Sequence, residues 1–317
     1  MRAFSVFLAT ACALGAAEPM RTLQYTARSA EETQAWQQDL RAKLATLLSI
    51  QDLMDQRAAI PLDAKSISSA TTDGVLIEEL ELRSTPGRLF KVIVARQENV
   101  ACPAPGVVAI HGHGGNRRTP FNSEEEIYKN FGTELAKKGF IVISTDVGQH
   151  EVYEEGRILM GERLWDLMRC VDYLQSLDCV DDARVGCAGL SLGGEMAMWL
   201  GAMDTRIAAE SSCGFLTRMD QMEQNHCMCW KFPGLRELVD YADIYALTAP
   251  RALQCQNGLR EPETQFTPVL ARAALDEIIP TYDAFEKQDN VQLLVHEGAH
   301  EIALEPMLAF LSAHLAK

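Results

Sequence analysis

From residue 106 onward the chain alternates short, almost wholly apolar runs with helical patterns, and this alternation restricts its fold more than any other feature. The runs are 106–115, 140–148, 184–189, 207–215, 251–258 and 291–298. Apolar residues at helical spacing fill 123–138, 161–177, a stretch from Leu192, 269–287 and 302–315. A strand reads as a continuous apolar run when both its faces are covered, and strand–helix–strand crossovers make parallel neighbours. The expected fold is α/β: a mostly parallel, doubly wound sheet with helices on both faces. Ahead of it, "GVLIEELELRS" (74–84) and "LFKVIVARQ" (89–97) flank a Pro86-Gly87 turn and predict an antiparallel hairpin. Residues 31–57 carry helical spacing. The first residues follow the three-part build of a secretory signal: Arg2, an apolar stretch over 3–14, then Gly15-Ala16-Ala17. That stretch falls short of the ~20 residues a membrane span needs. The expected organisation is a signal peptide at 1–17, a helical extension at 18–72 and the main domain at 73–317, with 216–249 as an irregular cap or insert. Such a leader implies a secreted or periplasmic protein, with no membrane partner once it is removed.

Composition excludes some partners. The chain has 317 residues and a formal net charge of −15, a surface that repels phosphate and argues against nucleic acid or anionic lipid. Among nine cysteines, Cys12 falls in the leader, and Cys170, Cys179, Cys187, Cys213 and Cys255 lie in apolar runs, where buried thiols are expected. No pairing follows from the sequence. His226-Cys227-Met228-Cys229 resembles a metal cluster at first sight, but one residue separates its cysteines and no second pair follows, so no metal is expected.

In a sheet of this kind, ligands gather at the carboxyl ends of the strands. Four strand ends carry chemistry. Ser191 sits in Gly189-Leu190-Ser191-Leu192-Gly193 between an apolar run and a helical pattern. A serine hydroxyl is a weak nucleophile without a base, and a sharp turn flanked by small residues would hold it clear of the sheet. His300, after the last run, can lean over that turn as the base; His296, inside the run, suits a structural role better. Glu261 and Glu263 follow the 251–258 run, and either carboxylate would orient the histidine, with Glu261 first after the Gly258 turn. His111-Gly112-His113-Gly114-Gly115 supplies backbone N–H groups for an oxyanion. A phosphate cradle is the rival reading of that turn, but neither glycine-rich phosphate motif is present. Asp146, after the 140–148 run, suits a turn-capping role.

These residues make the chain similar to α/β-hydrolases, whose triad runs in the order serine, acid, histidine. It resembles most the dienelactone hydrolase/acetyl xylan esterase-like branch, through "HGHGG", "GLSLGGEMAMWL", "NHCMCWKFPGL", "APRALQCQNG" and "HEGAHEI" over most of 75–316. Two departures stand out: dienelactone hydrolases proper use a cysteine nucleophile, and many relatives have an aspartate at the acid. The resemblance implies a serine esterase acting on a small-molecule or carbohydrate ester, without cofactor or metal. Ser191, His300 and Glu261 would be catalytic, and Leu192, His113 and Gly114 would form the oxyanion hole. His226, Met228 and Trp230, with Met219, Met222 and Phe232, would line an acyl pocket or belong to the core. A prolyl oligopeptidase-type peptidase and a catalytically silent binding protein are the alternatives. The oligomeric state is not legible.

Overall fold

The structure, a computed structural model, describes residues 20–223 and 226–316. The leader read at 1–17 lies outside the described residues.

Two N-terminal helices come first. The Ser29 hydroxyl accepts the Glu32 N–H and starts α1 (Ala30–Leu47). The chain then passes through Ser49 at φ 56° before α2 (Gln51–Gln56), so the single helix expected over 31–57 is two. Leu40, Leu44 and Leu53 are buried in the main core, which makes this extension part of the same packed body.

Nine strands form one sheet: β1 (Lys65–Thr72), β2 (Val75–Thr85), β3 (Arg88–Gln97), β4 (Ala104–Ile110), β5 (Ile141–Thr145), β6 (Val180–Leu190), β7 (Ile207–Cys213), β8 (Ala252–Gly258) and β9 (Val291–His296). Their order is β1-β2-β3-β5-β4-β6-β7-β8-β9. The first three strands pair antiparallel, β3 meets β5 antiparallel, and every later pairing is parallel. The hairpin expected over 74–97 is β2–β3. Strand β1 was not expected. Its sequence, KSISSATT, is exposed throughout, so it carries no apolar pattern and is held by backbone pairing along β2.

Both faces of the parallel strands are covered, which is why they read as continuous apolar runs. Val107, Ala109, Val142, Ala188 and Leu190 pack with α3 (Phe131–Lys137) and α10 (Leu304–Leu315). The alternate residues Val108, Ile110, Ile141, Ile143 and Cys187 face the larger layer, which includes α4 (Leu159–Gln175) and α5 (Leu192–Met203). The helix expected over 123–138 is confined to α3, because Lys129 and Asn130 adopt positive φ immediately before it. The irregular stretch expected at 216–249 holds, among its described residues, the short helices α6 (Met219–Met222), α7 (Leu235–Leu238) and α8 (Tyr241–Ala246) and a 3-10 turn at Met228–Trp230. Helix α9 (Pro268–Ala284) follows β8. Met219 and Met222 are fully buried core residues. Cys102 and Cys179 form a disulfide across 77 residues, tying the approach to β4 to the approach to β6. The expectation that Cys179 is a buried free thiol is therefore corrected: it is only half-buried and paired with a cysteine from outside the apolar runs.

Candidate active site

The sheet places the carboxyl ends of β4, β6, β7, β8 and β9 along one rim. At the end of β6 the chain turns at Ser191, with φ 62° and ψ −122°, straight into α5. A non-glycine residue held there costs ~1–3 kcal/mol. The surrounding glycines make the turn possible. A Cβ on Gly189 would stand 2.3 Å from the Gly193 carbonyl oxygen, and one on Gly193 would stand 2.3 Å from that of Ile110. The Ser191 N–H donates to the Cys213 carbonyl at 2.9 Å, which fixes the turn to the end of β7. Leu192 occupies the first position of α5, where a backbone N–H has no partner within the helix.

His300 and Glu261 arrive together because their loops zip to each other. Leu259 N–H donates to the His296 carbonyl at 2.8 Å, and Arg260 N–H to that of Gly298 at 3.0 Å. Glu261 Oε2 then lies 2.8 Å from His300 Nδ1. A carboxylate accepts, so Nδ1 carries the proton and Nε2 keeps a lone pair. The Glu261 side chain is fully buried, whereas Glu263 is exposed. The His300 ring stacks on Phe266 at 5.5 Å and lies over Gly214, where an added Cβ would come within 2.9 Å of the ring. Gly214 follows Cys213, whose carbonyl holds Ser191, so serine and imidazole flank one point at the end of β7. His296 is turned into its own loop, where its Nδ1 accepts the Gly298 N–H at 3.2 Å.

The turn after β4 is locked by residues whose part was not foreseen. His111 is fully buried; its Nε2 accepts the Val147 N–H at 3.0 Å, so its Nδ1 donates to the Gly112 carbonyl at 2.8 Å. This joins the ends of β4 and β5, and burial keeps the imidazole below its usual pKa. Tyr128 Oη accepts the Gly112 N–H at 2.8 Å. A Cβ on Gly112 would sit 3.1 Å from that of Ser191, so this turn lies against the Ser191 turn. Asp146 accepts from the Arg117 backbone N–H at 2.7 Å and its guanidinium at 2.8 Å, the capping role expected for it.

Beneath the rim, Glu195 of α5 is buried and its carboxyl is pushed up to about 8 by desolvation, against the pull of the Arg163 guanidinium. Of the three pocket candidates, Trp230 is fully buried and packs on Tyr241 at 5.8 Å within the core. Met228 is 44% exposed. His226 is half-buried, 5.8 Å from the His113 ring and 5.9 Å from Phe266. Burial, then the neighbouring His226 and Arg163, hold His113 down to about 4. The structure also gathers side chains that sequence spacing kept apart: His113, His150, Cys227 and Cys229 converge, with His113 Nε2 3.2 Å from Cys229 Sγ.

Comparisons with known proteins agree with this architecture. Residues 132–234 match the prolyl oligopeptidase family, a span that includes the Ser191 turn but neither His300 nor Glu261. YtaP of Bacillus subtilis strain 168, provisionally named a hydrolase, is 25% identical over 224 residues, 63% of this chain and 74% of YtaP. A glucuronoyl esterase from Solibacter usitatus superposes with a TM-score of 0.68 at 16% identity, covering 96% of this chain and 98% of that one. An acetyl xylan esterase from Paenibacillus sp. R4 does so at 0.62 and 16% identity, covering 93% and 97%. Among the described residues no helix is long and apolar enough to cross a membrane. With its strand order, its sharp turn at Ser191 and these likenesses, the chain has the α/β-hydrolase fold.

Proposed function

We propose that the protein is a serine hydrolase of carboxylic esters, with Ser191 as nucleophile, His300 as base and Glu261 as the acid that holds His300. The observation carrying this reading is the 2.8 Å contact between His300 Nδ1 and a fully buried Glu261, at the rim where Ser191 is held in a strained turn. In this reading His300 Nε2 takes the serine proton as the hydroxyl attacks the ester carbonyl. Glu261 keeps the tautomer and stabilises the imidazolium that forms. The Leu192 N–H, at the head of α5, meets the developing oxyanion together with N–H groups of the His113–Gly114 turn, each such donor contributing ~3 kcal/mol. The imidazolium then protonates the leaving alcohol, and water attacks the acyl-enzyme through the same base.

Acetyl, methyl or glucuronoyl esters of carbohydrates are the proposed substrates, since the solved relatives include an acetyl xylan esterase, a methylesterase and glucuronoyl esterases. A leader at 1–17 would place the enzyme outside the cytoplasm, where such polymers occur. The match of 132–234 to the prolyl oligopeptidase family favours a second reading as a peptidase. Purified protein offered p-nitrophenyl acetate, acetylated xylan and a peptide p-nitroanilide separates the readings. Ester hydrolysis that is lost in Ser191→Ala supports the first. Preference for the anilide supports the second, and equal rates for both proteins contradict either.

A further inference from the structure

We propose that His113, His150, Cys227 and Cys229 form a zinc(II) site that fastens the 226–230 segment to the loops after β4 and β5. Their four donor atoms lie within 4.8 Å of one another. His113 Nε2 is 3.2 Å from Cys229 Sγ, and His150 Nε2 is 3.3 Å from Cys227 Sγ. A tetrahedral zinc ion, with bonds of about 2.3 Å to sulfur and about 2.0–2.1 Å to nitrogen, sets its donors roughly 3.3–3.8 Å apart. The two short contacts lie at or just inside the lower end of that spacing, and the wider pairs, up to 4.8 Å, need only contract to close the set.

The chemistry of the donors narrows the metal. Two thiolates and two imidazoles in a tetrahedral arrangement select zinc over the oxygen-seeking cations, and two thiolates neutralise the charge of a divalent ion. Four protein ligands leave no open position, so the ion is structural and takes no part in ester cleavage. The surroundings suit it. The Arg163 guanidinium lies 3.5 Å from Cys229 Sγ, a cation beside one of the proposed sulfur ligands. The His113 and His150 rings lie nearly parallel with centroids 5.7 Å apart, and Cys227 and His150 are exposed, giving an ion a path in from solvent. The one-residue spacing of Cys227 and Cys229 argues against zinc only if both halves of a site must come from paired motifs; here the second half comes from two loops more than 70 residues upstream. His113 would thus serve twice, its ring toward the metal and its backbone toward the ester, so the site would hold the cap segment against the cleft.

The test uses the full chain, reduced and stripped with chelator, then titrated with cobalt(II) as a spectroscopic substitute for zinc. One equivalent should bind with the intense visible bands of a tetrahedral ion and near-ultraviolet thiolate-to-cobalt charge transfer. Cys227→Ser and His150→Ala, both at exposed positions, should weaken binding by at least about tenfold. The double variant C227S/C229S should abolish the charge transfer, and Ser191→Ala should bind as the parent does. Zinc should raise the melting temperature of the parent and leave the double variant unmoved, with matching circular dichroism showing that both are folded. Substoichiometric binding, an octahedral spectrum, equal binding by the double variant, or a Cys227–Cys229 disulfide in the natively isolated protein would each overturn the site.

Discussion

Glu261 and Glu263 lie two residues apart on one loop, yet only Glu261 is buried against His300. Glu261→Gln keeps the side-chain shape but cannot stabilise an imidazolium, and it should lower kcat by about 10⁴-fold. Glu263→Gln should stay within about twofold of the parent, as surface changes usually do. Steady-state kinetics on a p-nitrophenyl ester reads both, and the opposite ranking would reassign the acid. This choice was beyond the sequence, because two carboxylates on one loop look alike until the pairing of Leu259 and Arg260 with the β9 loop fixes which one turns inward. Ser191 and His300 stood out as candidates because each carries a local signal, the glycine-flanked serine at a strand end and the histidine before the last helix. Trp230 was open between pocket and core, since tryptophan suits both and only packing decides.

At the scale of elements, the turn between β6 and α5 tolerates no side chain at Gly193, where a Cβ would meet the Ile110 carbonyl oxygen at 2.3 Å. Gly193→Ala must push β4 and α5 apart, and it should cost about 3 kcal/mol or more, as overpacking at its most severe does. Urea unfolding checks this; a loss below about 1 kcal/mol, the range of ordinary surface changes, would contradict the close approach. The Cys102–Cys179 link closes a 77-residue loop. Replacing both cysteines by alanine should lower stability by about 2–4 kcal/mol without changing activity, because the link lies at the opposite end of β4 and β6 from Ser191. The alternating core was legible since two covered faces make strands wholly apolar. The parts that escaped were held by other forces: β1 by backbone pairing along an exposed edge, the break after α1 by Ser49 at positive φ, and the disulfide by a partner in a loop with no apolar pattern.

Across the whole molecule, several carboxyl groups are buried under the helices. Glu210 of β7 is fully buried, with Thr248 Oγ1 donating to one oxygen at 2.7 Å, and desolvation raises it from 4.5 to about 8. A carboxyl whose folded pKa is raised stabilises the fold below its unfolded pKa, and that contribution is lost as pH rises through the folded value. The protein should therefore lose stability between about pH 4.5 and 8 through Glu210. Glu210→Gln, neutral at every pH, should gain on the parent across that window by about 4 kcal/mol, with the two nearly equal at its acid end. Denaturant unfolding at pH 5 and pH 8 measures the difference, and parallel curves would show that Glu210 is not held neutral. The candidate site is likewise a property of the whole sheet, since five strand ends must register to bring the Ser191 turn and the Glu261–His300 pair to one rim. Sequence order shows that such a rim exists, but which side chains touch across it depends on packing between segments far apart in the chain.

The most direct test is covalent. The protein is treated with a fluorophosphonate, which reacts with an activated serine, and the site of modification is located by peptide mass spectrometry. The hydrolase reading predicts one adduct, on Ser191, formed at least about a hundredfold more slowly in His300→Ala, the scale of a lost general base. An unmodified Ser191, or labelling as fast without the imidazole, would contradict it.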